Sequence, residues 1–436
     1  MSDLVTSRIF VDGEKGITAA KLNDIVASSV IQPAFYTSKP TASTADPTDV
    51  MLLLKSGAYA QVPMSTITSG VDASQIWSVR LRSFNAVGNP NFEVDQRQVG
   101  NTLTNPATGT FPCDRWYYTK SGTMTVSTQR ALASSTPAGS IFVPGTNYLI
   151  SSTLLGIVLG TQEASLGAGD FLELNQTVEG PQLRELLGDV HSLSLLVYSS
   201  VANLKFSVVL VDGGTVTKSL CKLCTIPAAN TWTLITLPNL PVWASGGNFN
   251  ITPGAAGYSL RIGLAAGTTY MPAANDTWQN GNFVGAVGMS NFAASPVNSV
   301  FYVGFVQHEP GPVCSTLIDK PFTQNLDECL RYFEKSNSYK DAPGNTSGPA
   351  GIDAYLYTSF TPFLPIRFKK IMAKNPTVTG YSPVTGAINN VRDFTNNIDR
   401  AINTAVANDG GFAGFNVTPP ASPWRCQFHY TADTGW

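Results

Sequence analysis

The sequence predicts an all-β chain: a β-sandwich of the jelly-roll type followed by a smaller C-terminal β-domain, with an extended N-terminal anchor carrying one short helix. Three observations lead there. Charged residues make up only 13 % of the chain, roughly half the usual quarter, so exposed helices are short of the residues they need. Gly (38) and Pro (28) are abundant, which favours turn-rich structure. Short runs rich in β-branched and aromatic residues then recur through the middle of the chain between turn-forming clusters.

At 436 residues the chain exceeds one ordinary core, which implies two or three domains. The boundaries expected are 1–75, 76–319 and 320–436. In the first segment Ile17, Leu22, Ile25 and Val26 fall at helical spacing behind Thr18, a suitable N-cap. Pro33, Pro40, Pro47 and Pro63 follow, so the region is expected to run extended without a core of its own. The apolar run Met51 to Leu54 needs burial against a partner, which makes Leu52 and Leu53, with the four helix residues, the candidate attachment residues.

From about Gly88 to Asp319 strands are expected at Thr123 to Thr128, Phe171 to Val178, Ser192 to Tyr198, Leu204 to Val211, Thr217 to Ile226, Thr231 to Leu237, Tyr258 to Leu264 and Ser299 to Val306. Asp212-Gly213-Gly214 is hairpin chemistry. Strands in this number must bury one face against a second sheet. Asn89 to Arg97 alternates apolar and polar residues and reads as a half-buried strand entered by the Asn-Pro-Asn turn. Trp116 is expected in the core, with Asp114 and Arg115 paired at the rim. Leu326, Cys329, Leu330 and Phe333 predict an amphipathic helix over Asn325 to Ser336. Strands at Ala354 to Phe360, Ile366 to Ile371, Pro376 to Tyr381 and Arg425 to Tyr430 complete the C-terminal domain, with a loop from Asn408 to Pro423.

Several function classes are disfavoured. With 27 basic and 29 acidic residues and no basic run, nucleic acid is not an expected partner. No apolar stretch approaches the roughly 20 residues that span a bilayer, and Met1 to Lys15 has no apolar signal core, so no membrane insertion is expected. Six cysteines are too few for a disulfide framework, and the lone pair Cys221 and Cys224 lacks the further ligands a zinc site requires. His191, His308 and His429 lack metalloprotease spacing, and neither a nucleophile elbow nor a phosphate loop occurs. Glu93, Asp95, Asp114, Glu173 and Glu179 are carboxylates near strands, but nothing singles out a glycosidase pair. The expectation is a non-enzyme without cofactor or metal.

The stretch Asn89 to Arg97, then Asp114-Arg115-Trp116, then Leu172 to Gly180 resembles the opening of carbohydrate-binding-like jelly-rolls in virion and tail proteins of tailed bacteriophages. Val303 to Gly311 is similar to that domain's closing strand, with His308 where Leu is common. Leu326-Asp327-Glu328-Cys329-Leu330-Arg331-Tyr332-Phe333-Glu334-Lys335-Ser336 resembles the junction that links it to a C-terminal β-domain, with Leu330 where Gln is common. The ending His429 to Asp433 is similar too, and Gly16 to Asn23 looks like virion-attachment leaders.

The resemblance implies a structural tail fibre, trimeric, assembled in the host bacterial cytoplasm and located in the virion, attached to other virion proteins through its N-terminus and binding host surface polysaccharide. Alternatives are a head or tail decoration or adaptor protein without glycan, and a polysaccharide depolymerase. Sugar rings stack on exposed aromatics flanked by polar groups. On that chemistry the candidate glycan residues are Tyr117 and Tyr118, which follow Trp116, and Tyr270, Asn275, Asp276 and Trp278 in the loop-like segment 267–280.

Overall fold

The structure, a computed structural model, describes residues 50–55, 58–63, 84–142, 149–188, 190–213, 218–317, 319–346, 351–356, 365–418 and 423–436. The chain divides into two compact units, Met1–Gln75 and Ile76–Trp436. In the first, Val50–Lys55 and Ala58–Pro63 form an antiparallel hairpin that sets Leu52 opposite Gln61 and Leu53 opposite Ala60. The expected helix with Ile17, Leu22, Ile25 and Val26 lies outside the described residues.

The second unit begins with a sandwich of thirteen strands: β1 (Leu103–Thr104), β2 (Thr110–Cys113), β3 (Trp116–Ser121), β4 (Thr125–Leu132), β5 (Thr153–Thr161), β6 (Phe171–Glu179), β7 (His191–Ser199), β8 (Leu204–Asp212), β9 (Lys218–Ile226), β10 (Thr233–Leu240), β11 (Ala256–Ala266), β12 (Trp278–Asn280) and β13 (Val300–Pro310). The seven-stranded sheet runs β12-β9-β8-β11-β6-β3-β2, and the six-stranded sheet β10-β7-β13-β5-β4-β1. The two sheets share one core. Alternation along β6 sends Leu172, Leu174 and Val178 into it, and β3 contributes Trp116 and Tyr118. The six-stranded sheet also covers its outer face, where Leu154, Leu196, Tyr302 and Phe305 pack with Trp232. That is why every residue of β7 and β13 is buried. Cys221 and Cys224 lie three apart on β9 and so on opposite faces, one in a small outer cluster and one in the main core. Burial pushes both thiols up to about 12.

Asn89 to Arg97 is not a strand. Asn89 and Phe92 adopt left-handed backbone, φ 49° and 59°, which a strand cannot hold. The segment is instead clasped by Asn89, whose Nδ2 donates to the carbonyls of Val94 and Asp114 while its Oδ1 accepts from Val94 N–H. Trp116 is in the core as expected and donates from Nε1 to Asn89 O at 3.2 Å. Asp114 and Arg115 are not paired with each other: Asp114 faces Arg97, and Arg115 lies over the Tyr332 ring at 3.5 Å.

Two short helices flank the sandwich, α1 (Gly180–Arg184) and α2 (Phe322–Leu330). The helix expected over Asn325 to Ser336 ends at Leu330, because the next residues enter the C-terminal sheet. That sheet comprises β14 (Phe333–Lys335), β15 (Ile352–Leu356), β16 (Ile366–Arg367), β17 (Thr377–Tyr381), β18 (Asn390–Asp393), β19 (Ile398–Asn408), β20 (Gly411–Val417) and β21 (Trp424–Asp433). Its central strand is β21, which pairs with β14, β15, β17 and β18. The region expected as a loop from Asn408 holds β20, paired with β19. Gly411 permits this: a Cβ there would lie 2.2 Å from Ile366 O on the neighbouring strand.

A neutral hydrogen-bonded chain crosses the sandwich core. His191 Nε2 faces Pro241 O at 3.2 Å, and a carbonyl only accepts, so the proton is on Nε2 and Nδ1 is an acceptor. His308 Nε2 then donates to His191 Nδ1 at 2.8 Å, and Tyr258 O–H donates to His308 Nδ1 at 2.6 Å. The His191 ring also stacks on Trp243. Protonating His191 on Nδ1 would set N–H against the His308 N–H, and protonating His308 on Nδ1 would remove the acceptor of the Tyr258 O–H. Desolvation lowers His191 to about 4 and His308 well below 6.5. The unfolded chain therefore binds more protons than the fold between about pH 6.5 and 4, and this stabilisation is complete above that window and lost as pH falls through it. Asp114, lifted by burial to about 7, acts in the opposite direction, so a variant comparison isolates the histidines. Between pH 7 and 4.5 the wild type is expected to lose roughly 5 kcal/mol more than the double variant His191→Phe, His308→Leu, about half from each imidazole, read from urea midpoints. Equal losses would refute the neutral pair.

Candidate functional site: a groove beside the C-terminal sheet

Arg97 anchors the wall that the sandwich contributes. Its guanidinium lies between two rings, 4.1 Å from the centroid of Phe111 and 4.2 Å from that of Phe333. Its edge meets Asp433 through Nη1 and Nη2, the latter at 2.9 Å, and Nε is 3.4 Å from Asp114 Oδ1. Burial disfavours the Asp433 carboxylate, but the Arg97 charge and hydrogen bonds outweigh it and hold the group below its ordinary range. The pair is thereby locked in its charged form with little net charge toward the groove.

The opposite wall follows from strand alternation. Val378 and Gly380 face the C-terminal core, where a Cβ on Gly380 would meet Ile402 and Phe415. Thr377, Thr379 and Tyr381 therefore face the other way, opposite Asp433, Thr431 and His429 of β21. Between these walls lies a groove of about 800 Å³, within the size range of small-ligand sites. Tyr381 and Phe111 supply rings, four threonines supply hydroxyls, and Gln98 and Asn375 supply amides. Lys374 stands at the edge with Nζ 4.5 Å from the Trp436 ring centroid. The lining carboxylate, Asp433, already accepts from Arg97 and Gly435 N–H. The arrangement suits an uncharged polyhydroxyl ligand, by stacking and short hydrogen bonds.

The groove continues onto the outer face of the seven-stranded sheet. Phe111 meets Tyr117 with ring centroids 5.3 Å apart, and Tyr117, Asn175 and Arg261 stand in register on β3, β6 and β11. Thr119 Oγ1 donates to Glu173 Oε1 at 2.8 Å and accepts from Asn175 Nδ2 at 2.9 Å. Arg261 Nη1 donates to Asn282 Oδ1 and Phe283 O. Glu173 Oε2 and Arg261 Nε face each other as a largely buried ion pair at 3.8 Å, and Asn175 Oδ1 has no hydrogen-bond donor in the protein.

The residues expected as a glycan rim do not converge. Tyr118, two along from Trp116, points inward and is fully buried, its hydroxyl donating to Pro106 O. Tyr117 alternates outward onto the polar face. Tyr270 packs edge-on against Phe171. Asn275 clasps Val287 through both backbone groups, and Asp276 pairs with Lys222. Trp278 packs on Trp243 and Phe249 and donates to Val242 O at 3.0 Å. All of the last four are tied to local structure. The groove residues carried no signal in the sequence, because Arg97, Phe111, Tyr381 and Asp433 meet only through folding. Among the described residues no group of acidic, His and Cys side chains could hold a metal ion, and no helix is long and apolar enough to cross a membrane.

No family model matches the sequence, and no curated protein matches it. Among solved structures the chain is similar to TmCBM61, in complex with β-1,4-galactotriose, at 11 % identity over 52 % of this chain and 99 % of that one, with a TM-score of 0.27. It is similar to the family 11 carbohydrate-binding module from Clostridium thermocellum, in complex with a β-1,3-1,4-mixed-linked tetrasaccharide, at 10 % identity over 49 % and 98 %, TM-score 0.25. The enzymatically active domain of tailspike protein 4 of bacteriophage CBA120 is 15 % identical over 52 % of this chain and 21 % of that one, TM-score 0.25. At these values the functional case rests on the side chains described above.

Proposed function

We propose that the chain is a structural fibre protein of a bacteriophage particle, a tail fibre that binds host surface glycan in the groove beside the C-terminal sheet. The groove carries the glycan reading: two rings and a row of hydroxyls, with Arg97 and Asp433 paired to each other, match the C–H faces and hydroxyls of neutral sugars. The particle origin and a trimeric state rest on the sequence resemblance centred on Leu326 to Ser336, and attachment through residues 1–75 on the leader-like segment Gly16 to Asn23 and the apolar run Met51 to Leu54. Light scattering of the full chain at three times 46.4 kDa is the expected result, and a monomer would count against the trimer.

Glycan-array and host-cell binding test the ligand. Tyr381→Ala removes a ring face from the groove and is expected to weaken binding about tenfold or more while the protein stays folded. Trp278→Ala, which removes a half-buried ring from the Trp243 cluster, is expected to cost roughly 2–3 kcal/mol of stability yet leave affinity unchanged. Binding that survives Tyr381→Ala but falls with Trp278→Ala would move the site away from the groove. A full chain that binds neither glycans nor host cells would favour the decoration or adaptor reading.

A further inference from the structure

A second cavity, of about 230 Å³, lies where α1, α2 and the 84–88 segment meet, and it shares no lining residue with the groove. Three cations line it. Lys320 is neutralised by Glu328, with Nζ 2.8 Å from Oε2, and Arg331 by Glu179, with Nε 2.8 Å from Oε2. Arg115 has no carboxylate. It is 3 % exposed, its Nη2 donates to Thr177 O, one face covers Tyr332, and its Nε and Nη1 have no acceptor in the protein. Gln182, also lining the cavity, presents a buried Oε1 with no donor.

A lone guanidinium taken out of water is among the costliest arrangements in a fold, and an anion supplies what it lacks. Guanidinium N–H groups match the geometry of a carboxylate. An amide oxygen with no donor calls for a hydroxyl from the same ligand. The volume lies below the roughly 300–1,000 Å³ of drug-sized sites, so it admits one small unit and not a chain. We propose that this cavity binds a hydroxyl-bearing carboxylate, its carboxylate on Arg115 and a hydroxyl on Gln182 Oε1, from either a free small acid or a terminal sugar acid.

Thermal shift and calorimetric titration of the full chain with glucuronate, lactate, acetate and glucose test this. Glucuronate and acetate are expected to raise the melting temperature saturably, and glucose to leave it unchanged. Lactate, a hydroxyl-bearing free acid, separates the sources: glucuronate tighter than lactate supports a sugar acid, lactate matching glucuronate supports a free acid, and acetate matching glucuronate would overturn the hydroxyl contact with Gln182. Arg115→Met is expected to abolish the effect. Gln182→Glu changes a half-exposed helix residue and supplies a carboxylate within the cavity, so it is expected to weaken glucuronate at least tenfold while the protein remains folded. No shift with any of the carboxylates, an equal shift with glucose, or glucuronate binding unchanged in Gln182→Glu would overturn the proposal. Because Tyr381→Ala leaves this cavity intact, loss of the groove reading and loss of this one are separate outcomes.

Discussion

The carboxylate of Glu179 fixes how the sandwich meets the C-terminal sheet. At 1 % exposure it would be among the least tolerable groups in the protein if unpaired. It accepts instead from Arg331 through Nε and Nη2, from Tyr332 O–H at 2.7 Å and from Gly254 N–H at 2.7 Å. Burial alone would raise its pKa, but these donors outweigh burial and hold it below the ordinary carboxylate value. Three of the four donor groups belong to the two residues just after α2, so the end of β6 dictates where the chain leaves the helix and enters β14.

The following residues extend the same clasp. Phe333 stacks on Arg97, Glu334 accepts from Tyr430 O–H and Lys369 N–H, and Lys335 donates to the carbonyls of Gln96 and Tyr339. Ser336 exchanges hydrogen bonds with the Tyr430 backbone. Each side chain from Arg331 to Ser336 thus has a distinct buried task, and one wall of the groove is a by-product of this docking. The Arg97 and Asp433 pair spans the same contact, so the groove holds its shape only while the sandwich and the C-terminal sheet remain clasped.

Strand positions in the sandwich were legible because each buries one face, and period-two alternation survives in Phe171 to Glu179 or Leu204 to Asp212 whatever the tertiary partner. Failures came where that logic lapses. Asn89 to Arg97 alternates like a strand, yet the Asn89 side chain replaces the ladder with its own hydrogen bonds. In β20, Gly411 and Gly414 look like turn residues, whereas Gly411 is there because Ile366 passes too close for a side chain. Trp278 shows that an aromatic residue amid small polar neighbours can still pack on the core, against Trp243 and Phe249. Such neighbours report an edge or a turn, not exposure.

The groove was illegible for a different reason. Its residues come from five stretches, 97–111, 333, 342–343, 374–381 and 431–435, and no local pattern links them. One global property did foreshadow its chemistry. The chain has few charges, and the junction engages Arg97, Asp114, Glu179, Arg331, Glu334 and Lys335 internally. A surface left to threonine, asparagine and tyrosine recognises by stacking and neutral hydrogen bonds, which favours neutral sugars over phosphates or acidic partners. Arg115 departs from that rule, because the carboxylate that could have answered it, Glu179, is already bound by Arg331 and Tyr332. The clasp that joins the sandwich to the C-terminal sheet is therefore also what leaves one buried cation to an outside anion.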